Sequence, residues 1–311
     1  LIKILQGNCL EVLKDLPEQS VNTCITSPPY WGLRDYGEGE QMGLEETPEE
    51  FVENLVNVFR EVKRVLRDDG TVWLNLGDSY AGNNSRASNN GRAGFGTKRE
   101  GVFTKTGTGL KTKDLVGIPW RVALALQQDA WYLRQDIIWH KSNPMPESVT
   151  DRCTKAHEYI FLLSKNKKYY FDNDAIKENS LNASKSISLG EKSFSKRQAE
   201  GMNVNPSGNA FSSSYKVLEK RNKRSVWTVP TKPFRDAHFA TFPPDLIKPC
   251  VLAGCPEGGT VLDPFGGAGT TGLVAQQNNR DSILIELNPD YIEIAKERLN
   301  NDAPLFNEVV A

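Results

Sequence analysis

Val261-Leu262-Asp263-Pro264-Phe265-Gly266-Gly267-Ala268-Gly269-Thr270-Thr271 starts as a short apolar run, turns through a glycine-rich corner and continues into a helical pattern near Gly269. Glycine adopts positive φ freely and lets a backbone approach a ligand closely. The corner has neither G-x-G-x-x-G spacing nor a Walker lysine, so it leans away from a dinucleotide or P-loop site. The next apolar run, Ser282–Glu286, ends on an acid, and Asn288-Pro289 then caps a helix with proline at its first position. Lys3–Asn8, Asn22–Thr26, Thr71–Leu76, Asp136–His140 and Glu158–Leu163 have the same character. Runs that are apolar on both faces suit a buried, mostly parallel sheet. Between them, Phe51, Leu55, Val58, Phe59, Val62 and Leu66 recur at helical spacing. Thr47-Pro48-Glu49-Glu50 starts that helix and Asp69-Gly70 ends it. The alternation predicts an α/β fold: a Rossmann-like, doubly wound, seven-stranded and mainly parallel sheet.

A chain of 311 residues suffices for one such domain with an insertion, or for two domains. The net charge of −1 excludes a global basic field. Charge is nevertheless uneven. Gly82–Lys113 holds seven Lys/Arg against one acid, and Lys177–Arg224 holds ten against four. Local basic stretches are what phosphate contact needs, although a charge run is more often a solvated loop. The segments Ala81–Leu110 and Glu178–Ser214 are rich in small polar residues and too poor in apolar ones to bury a core, which predicts long mobile loops. Five irregularly spaced cysteines match no zinc pattern and no disulfide framework, so no metal is expected. No run has the length of a membrane span and no signal peptide opens the chain, which points to a reduced, cytoplasmic setting. The missing initiator Met suggests a trimmed N-terminus.

Near the N-terminus stands a second motif, Thr26-Ser27-Pro28-Pro29-Tyr30-Trp31. It resembles the catalytic motif of S-adenosylmethionine-dependent methyltransferases that modify exocyclic amino groups of DNA bases. Leu262–Thr271 resembles their cofactor loop. The catalytic motif first and the cofactor loop last is the arrangement of the β class, found in bacterial or phage restriction–modification systems. The resemblance covers roughly residues 3–76, 115–171 and 225–299 and thins in the two polar segments.

The resemblance implies S-adenosyl-L-methionine as cofactor. Its methionine end carries an ammonium, which Asp263 can approach, and a carboxylate, which suits the helix start at Gly269-Thr270-Thr271. Pro264, Phe265, Gly266 and Gly267 would form the loop around it. Glu286, at the end of its strand, would accept from both ribose hydroxyls. His238-Phe239-Ala240-Thr241-Phe242-Pro243-Pro244 resembles the segment covering the methionine part, with Phe242 in the pocket and no proton-transfer role for His238. Gln6-Gly7-Asn8-Cys9 departs from the family, which usually carries Asp after the Gly. Asn8 would present its carbonyl oxygen to the adenine amino group.

For the chemistry, the resemblance implies Ser27, Pro28, Pro29 and Tyr30. An exocyclic amino group is a poor nucleophile because its lone pair is delocalised into the ring. The Ser27 hydroxyl and the Pro28 carbonyl would accept its two N–H bonds, on a backbone that the prolines preorganise. Tyr30 would stack on a flipped base. Serine at position 27 favours cytosine N4, since the family's adenine N6 members more often carry Asp or Asn there; adenine N6 is the alternative. RNA or protein N-methylation and an inactive DNA-binding relic are more distant rivals. Cytosine C5 methylation needs a nucleophilic Pro-Cys, and Pro249-Cys250 falls in an apolar helical stretch where Cys250 reads as core.

Double-stranded DNA is the expected partner, with Arg34, Lys216, Lys220, Arg221, Lys223 and Arg224 as contacts; the resemblance leaves room for a cognate restriction endonuclease. The expected organisation is a catalytic part (1–174), a target-recognition insertion (175–224) and a cofactor-binding part of the same domain (225–311).

Overall fold

The computed structural model describes residues 1–32, 41–82, 109–180, 219–232 and 242–302, and the backbone of residues 309 and 310. Most of both predicted loops, residues 83–108 and 181–214, lies outside the described residues. The chain divides into two compact units, Leu1–Ala175 with Arg224–Ala311, and Ile176–Lys223. In chain order the elements are β1 (Ile2–Gln6), α1 (Cys9–Asp15), β2 (Val21–Thr26), α2 (Pro48–Val65), β3 (Leu66–Leu76), α3 (Ile118–Gln128), β4 (Tyr132–His140), β5 (His157–Ser164), β6 (Glu178–Asn179), β7 (Lys220–Arg221), β8 (Val226–Thr228), α4 (Pro244–Gly254), β9 (Thr260–Asp263), α5 (Thr270–Gln277), β10 (Asp281–Glu286), α6 (Pro289–Asp302) and β11 (Val309–Val310).

In the larger unit nine strands form one sheet in the order β11-β1-β10-β9-β2-β3-β5-β4-β8. All seven expected strands are present, and the two additions, β8 and β11, are short edge strands. Eight strands run in one direction and β5 alone is reversed, antiparallel to both β3 and β4. The core lies on both sheet faces. On one, Leu13 of α1, Phe51, Leu55 and Phe59 of α2, and Val122 and Leu126 of α3 pack on Cys24, Val72, Leu74 and Phe161. On the other, Leu273 of α5 and Ile292, Ala295 and Leu299 of α6 pack on Ile2, Ile4 and Leu284.

The helix α2 starts where its sequence says. Thr47 Oγ1 accepts from the Glu50 N–H, and the Glu50 carboxylate accepts from the Thr47 N–H, a capping box with Pro48 behind it. Its end is a correction to the sequence reading. The chain leaves the helix at Val65, not at Asp69-Gly70, because Leu66 turns extended (φ −68°, ψ 139°) and pairs with Val21 of β2. Sheet pairing overrides the helical periodicity there. Cys250 lies fully buried within α4, which fits a core role.

Chain direction within the sheet sets the ligand site. From β1 through α1 to β2, and on through α2 to β3, the chain moves towards one edge; from β9 through α5 to β10 it moves towards the other. The two directions part between β9 and β2, which are paired in parallel at Thr23–Val261 and Cys24–Leu262. Crevices at such a switch point, beyond the carboxyl ends of the strands, are where open α/β sheets hold ligands. In the smaller unit β6 and β7 form an antiparallel pair, Glu178 opposite Arg221 and Asn179 opposite Lys220.

Candidate active site

Both sequence motifs leave the sheet at this switch point. Ser27-Pro28-Pro29-Tyr30 follows β2 and Pro264–Gly269 follows β9. Thr26 and Asp263, 237 positions apart in sequence, meet in a 2.7 Å hydrogen bond from Thr26 Oγ1 to the Asp263 carboxylate. A cavity of about 300 Å³ opens there. It is lined by thirteen of the expected site residues: Asn8, Ser27, Pro28, Pro29, Tyr30, Phe242, Asp263, Pro264, Phe265, Gly266, Gly267, Thr270 and Glu286. Gly269 and Thr271 stand behind that wall. Gly269 begins α5 at φ 73°, and a Cβ there would come within 3.0 Å of the Ala295 Cβ. That approach seats the turn on α6. From α6, Arg298 donates to the Ala268 carbonyl at 3.0 Å and to Thr270 Oγ1 at 2.8 Å, bracing the corner from outside.

Asp263 is only 1% exposed, and its carboxylate is already occupied. It accepts from Thr26, from Thr271 Oγ1 at 2.6 Å and from the Phe265 N–H at 3.1 Å. Burial nonetheless pushes its pKa up to about 7, Thr271, Thr26 and the Phe265 N–H pull it down, and the nearby charge of Glu286 adds to the rise. The same three bonds tie β2, the corner and α5 together, a duty that the sequence reading did not assign. Glu286 accepts from the Gly267 N–H at 2.7 Å and the Asn288 N–H at 2.9 Å, so its carboxylate is fixed at the cavity edge. Asn8 needs a correction. Its carbonyl oxygen, expected to face an adenine amino group, accepts from the Leu10 N–H at 2.9 Å and caps α1. An N-cap oxygen satisfies a helix donor that would otherwise be orphaned, so this local use takes precedence.

Among the described residues the Ser27 hydroxyl is committed to no hydrogen bond, and it faces the cavity. Tyr30 is held at its hydroxyl and along one edge of its ring. Its hydroxyl donates to Glu158 at 2.8 Å, and the ring lies so close to Gly77 that a Cβ there would fall 2.4 Å from Tyr30 Cε2.

From residue 21 to residue 297 the chain matches the N6/N4 family of DNA methylases. The chain belongs to that family. This methylase is 46% identical to the type II methyltransferase M.Cfr9I of Citrobacter freundii over 301 residues, 96% of this chain and 88% of that one. It is 45% identical to the type II methyltransferase M.SmaI of Serratia marcescens over 302 residues, 96% of this chain and 90% of that one. Among solved structures it resembles PvuII DNA methyltransferase (cytosine-N4-specific), with a TM-score of 0.64 and 18% identity over 100% of this chain and 88% of that one. It also resembles the M1.HpyAVI–SAM complex, with a TM-score of 0.54 and 17% identity over 96% of this chain and 100% of that one. At these identities the structural likeness is one of fold.

The methylase brings to the cavity several side chains that the sequence reading missed, among them Asn75, Trp139, Lys141 and Glu158. Glu158 is their centre. One of its oxygens accepts from Tyr30 and, at 3.4 Å, from Asn75 Nδ2; the other accepts from Lys141 Nζ. The Lys141 ammonium sits 4.4 Å from the centroid of the Trp139 ring. Asn75, Trp139 and Lys141 stand at the carboxyl ends of β3 and β4, where a ligand site is expected, whereas Glu158 lies at the opposite end of its strand and is hidden in the sequence. Glu158 is the second residue of its strand, and only the reversal of β5 brings that beginning, opposite Trp139, to the edge where the other strands finish. The available signal was a charged residue at one end of each of two consecutive apolar strands, Lys141 after β4 and Glu158 in β5.

The expected DNA contacts divide differently. Arg34 and Lys216 lie outside the described residues. Lys220 and Arg224 are exposed, and Lys223 is half-buried. Arg221 is held by Glu178 at 2.9 Å within the β6–β7 pair, so it already has an anionic partner.

Proposed function

We propose that this DNA methylase transfers a methyl group from S-adenosyl-L-methionine to the exocyclic N4 of a cytosine flipped out of duplex DNA. What carries the reading is the meeting of the Ser27–Tyr30 exit and the Asp263–Thr270 corner in one cavity at the switch point of the sheet. S-adenosyl-L-methionine, when bound, supplies an electrophilic methyl group on a sulfonium centre. The residues present suit that ligand. Glu286, fixed by two backbone donors, is the acceptor for ribose hydroxyls. The start of α5, with Thr270 at the cavity, suits a carboxylate. Asp263, raised to about 7 by burial, gains from a neighbouring ammonium the countercharge it lacks. Phe242 covers the methionine part, and Asn8 lines the same cavity.

On the substrate side, the Ser27 hydroxyl and the Pro28 carbonyl would accept the two amino N–H bonds and localise the nitrogen lone pair, which takes the methyl group as its bond to sulfur breaks. The methylated, now cationic amino group then releases one proton to water. Pro28 and Pro29 hold those acceptors in place, so no reorganisation accompanies the reaction. Tyr30 stacks on the flipped base, with its own ring held by Glu158 and Gly77. Serine at position 27 supports cytosine. The segment 175–224 is the target-recognition insertion, with Lys220, Lys223 and Arg224 among the phosphate contacts. The setting is the cytoplasm, where a cognate endonuclease would recognise the same site. Single-molecule sequencing of DNA from cells expressing the protein, with both modified bases identified in context, tests this. N4-methylcytosine in a fixed sequence is the expected result. N6-methyladenine, or no modification, refutes the assignment.

A further inference from the structure

We infer that Lys141 reads the C2 carbonyl of the target base and thereby selects cytosine over adenine. The inference rests on the N4-cytosine reading and extends it to a residue for which that chemistry has no other use. Lys141 lines the same cavity as Ser27, Pro28 and Tyr30. Its side chain is only 20% exposed and that of its partner Glu158 13%. Among the described residues Glu158 is the one hydrogen-bond acceptor of the ammonium, which carries three donors. The ammonium also lies over the face of Trp139. The lysine is therefore aimed by two neighbours and keeps donor capacity inside a cavity wall. An ion pair withdrawn from water is weak evidence of stabilisation, since apolar residues of similar size often do as well. A ligand acceptor gives the spare donors a use.

The position of Lys141 fixes which acceptor this is. Glu158 binds both Lys141 and the Tyr30 hydroxyl, so the ammonium stands beside the outer end of the ring on which the base stacks. With the amino group held at Ser27 and Pro28, the ring edge next to that group distinguishes the two bases. In cytosine the sequence along this edge is amino group, ring nitrogen, carbonyl. In adenine it is amino group, ring nitrogen, C–H. A cation placed at the third position donates to cytosine and faces a carbon in adenine, where a desolvated donor is left unpaired. Sites that hydrogen-bond a substrate group discriminate strongly against analogues lacking it for this reason.

The test uses duplex oligonucleotides carrying the site found by sequencing. The target position holds cytosine, adenine, or a 2-aminopyridine C-nucleoside, which keeps the amino group and adjacent ring nitrogen and has C–H in place of the carbonyl. Single-turnover transfer is compared for the wild-type protein, Lys141→Met and Lys141→Arg. Loss of a charge-assisted bond predicts a fall of roughly ten- to a hundred-fold for Lys141→Met on cytosine. On the aminopyridine and on adenine the same substitution changes the rate by less than about threefold, and Lys141→Arg restores much of the rate on cytosine alone. Equal losses on all three bases, or no loss on cytosine, overturn the inference. Unchanged S-adenosylmethionine affinity by calorimetry shows that the variant is folded; if Lys141→Met loses the cofactor, Lys141→Gln takes its place. Methylated adenine in cellular DNA would mean that the substrate reading had failed. Methylated cytosine with equal Lys141 dependence on the aminopyridine would mean that only this inference had.

Discussion

Replacing Asp263 by Asn should change the pH dependence of stability in a direction opposite to that of most carboxylate substitutions. Its folded pKa is raised from 3.8 to about 7 by burial. The folded state therefore holds this proton more tightly than the unfolded chain does. The stability contributed by the neutral carboxyl is fully present below about pH 4 and is lost as the pH rises through about 7. A rise of roughly three units corresponds to about 4 kcal/mol in all, of which about 2.5 kcal/mol falls between pH 5 and pH 8. Asn keeps the size of Asp and an oxygen for Thr26 and the Phe265 N–H. Its amide donor meets Thr271 Oγ1, which can turn to donate to the Ile25 carbonyl at 3.4 Å. The variant should thus gain on the wild-type protein by about 2.5 kcal/mol between pH 5 and pH 8 when the two urea-unfolding free energies are subtracted without cofactor. Cofactor opposes this gain. Asp263→Asn loses the countercharge of the ammonium and should bind roughly ten- to a hundred-fold more weakly. Binding to the wild-type protein near pH 7 should release protons, visible as a dependence of the calorimetric enthalpy on buffer. A stability difference that is flat with pH, together with binding free of proton release, would refute the buried-acid reasoning.

Three further outcomes follow from the geometry. Gly77→Ala puts a methyl group 2.4 Å from Tyr30 Cε2, so single-turnover transfer should fall towards the level of Tyr30→Ala, a loss of about 1–3 kcal/mol of stacking, with cofactor affinity retained; full transfer in either variant would place the base elsewhere. Glu286→Ala should weaken S-adenosylmethionine about ten- to a hundred-fold in calorimetry and should also loosen the Gly267 corner, whose N–H loses its acceptor; unchanged affinity would remove Glu286 from the pocket. Replacing Lys220, Lys223 and Arg224 with Ala should lower the slope of log affinity for DNA against log salt by about 0.9 for each phosphate no longer neutralised, whereas Arg221→Ala should act mainly on the stability of its strand pair because Glu178 holds it; an unaltered slope in the triple variant would return these residues to a solvated surface.

Much of the molecule is legible in the chain because the signals are local. Apolar runs of strand length, the Thr47–Glu50 capping box, the Asn288-Pro289 start and the glycine corner each follow from a few neighbouring residues, and all seven strands appear where those signals stand. The errors arise where a distant partner competes with a local preference. Leu66 has the spacing of a helix residue but pairs with Val21. The family resemblance points the Asn8 oxygen at a ligand, while a helix start two residues away engages it.

The order and content of the two motifs, and with them the family and the class of chemistry, are determined by the sequence alone, because side-chain identity and spacing are enough to specify a strand, a proline exit and a ligand turn. The tertiary structure alone decides that β9 lies beside β2, which brings Thr26 to Asp263 across most of the chain. It also decides that Asp263 is almost fully buried, which pushes its pKa up to about 7, and that the reversal of β5 brings Glu158 beside Lys141, which follows β4, in the cavity wall. Burial and strand direction arise from how elements pack on one another, and no local run of residues encodes them.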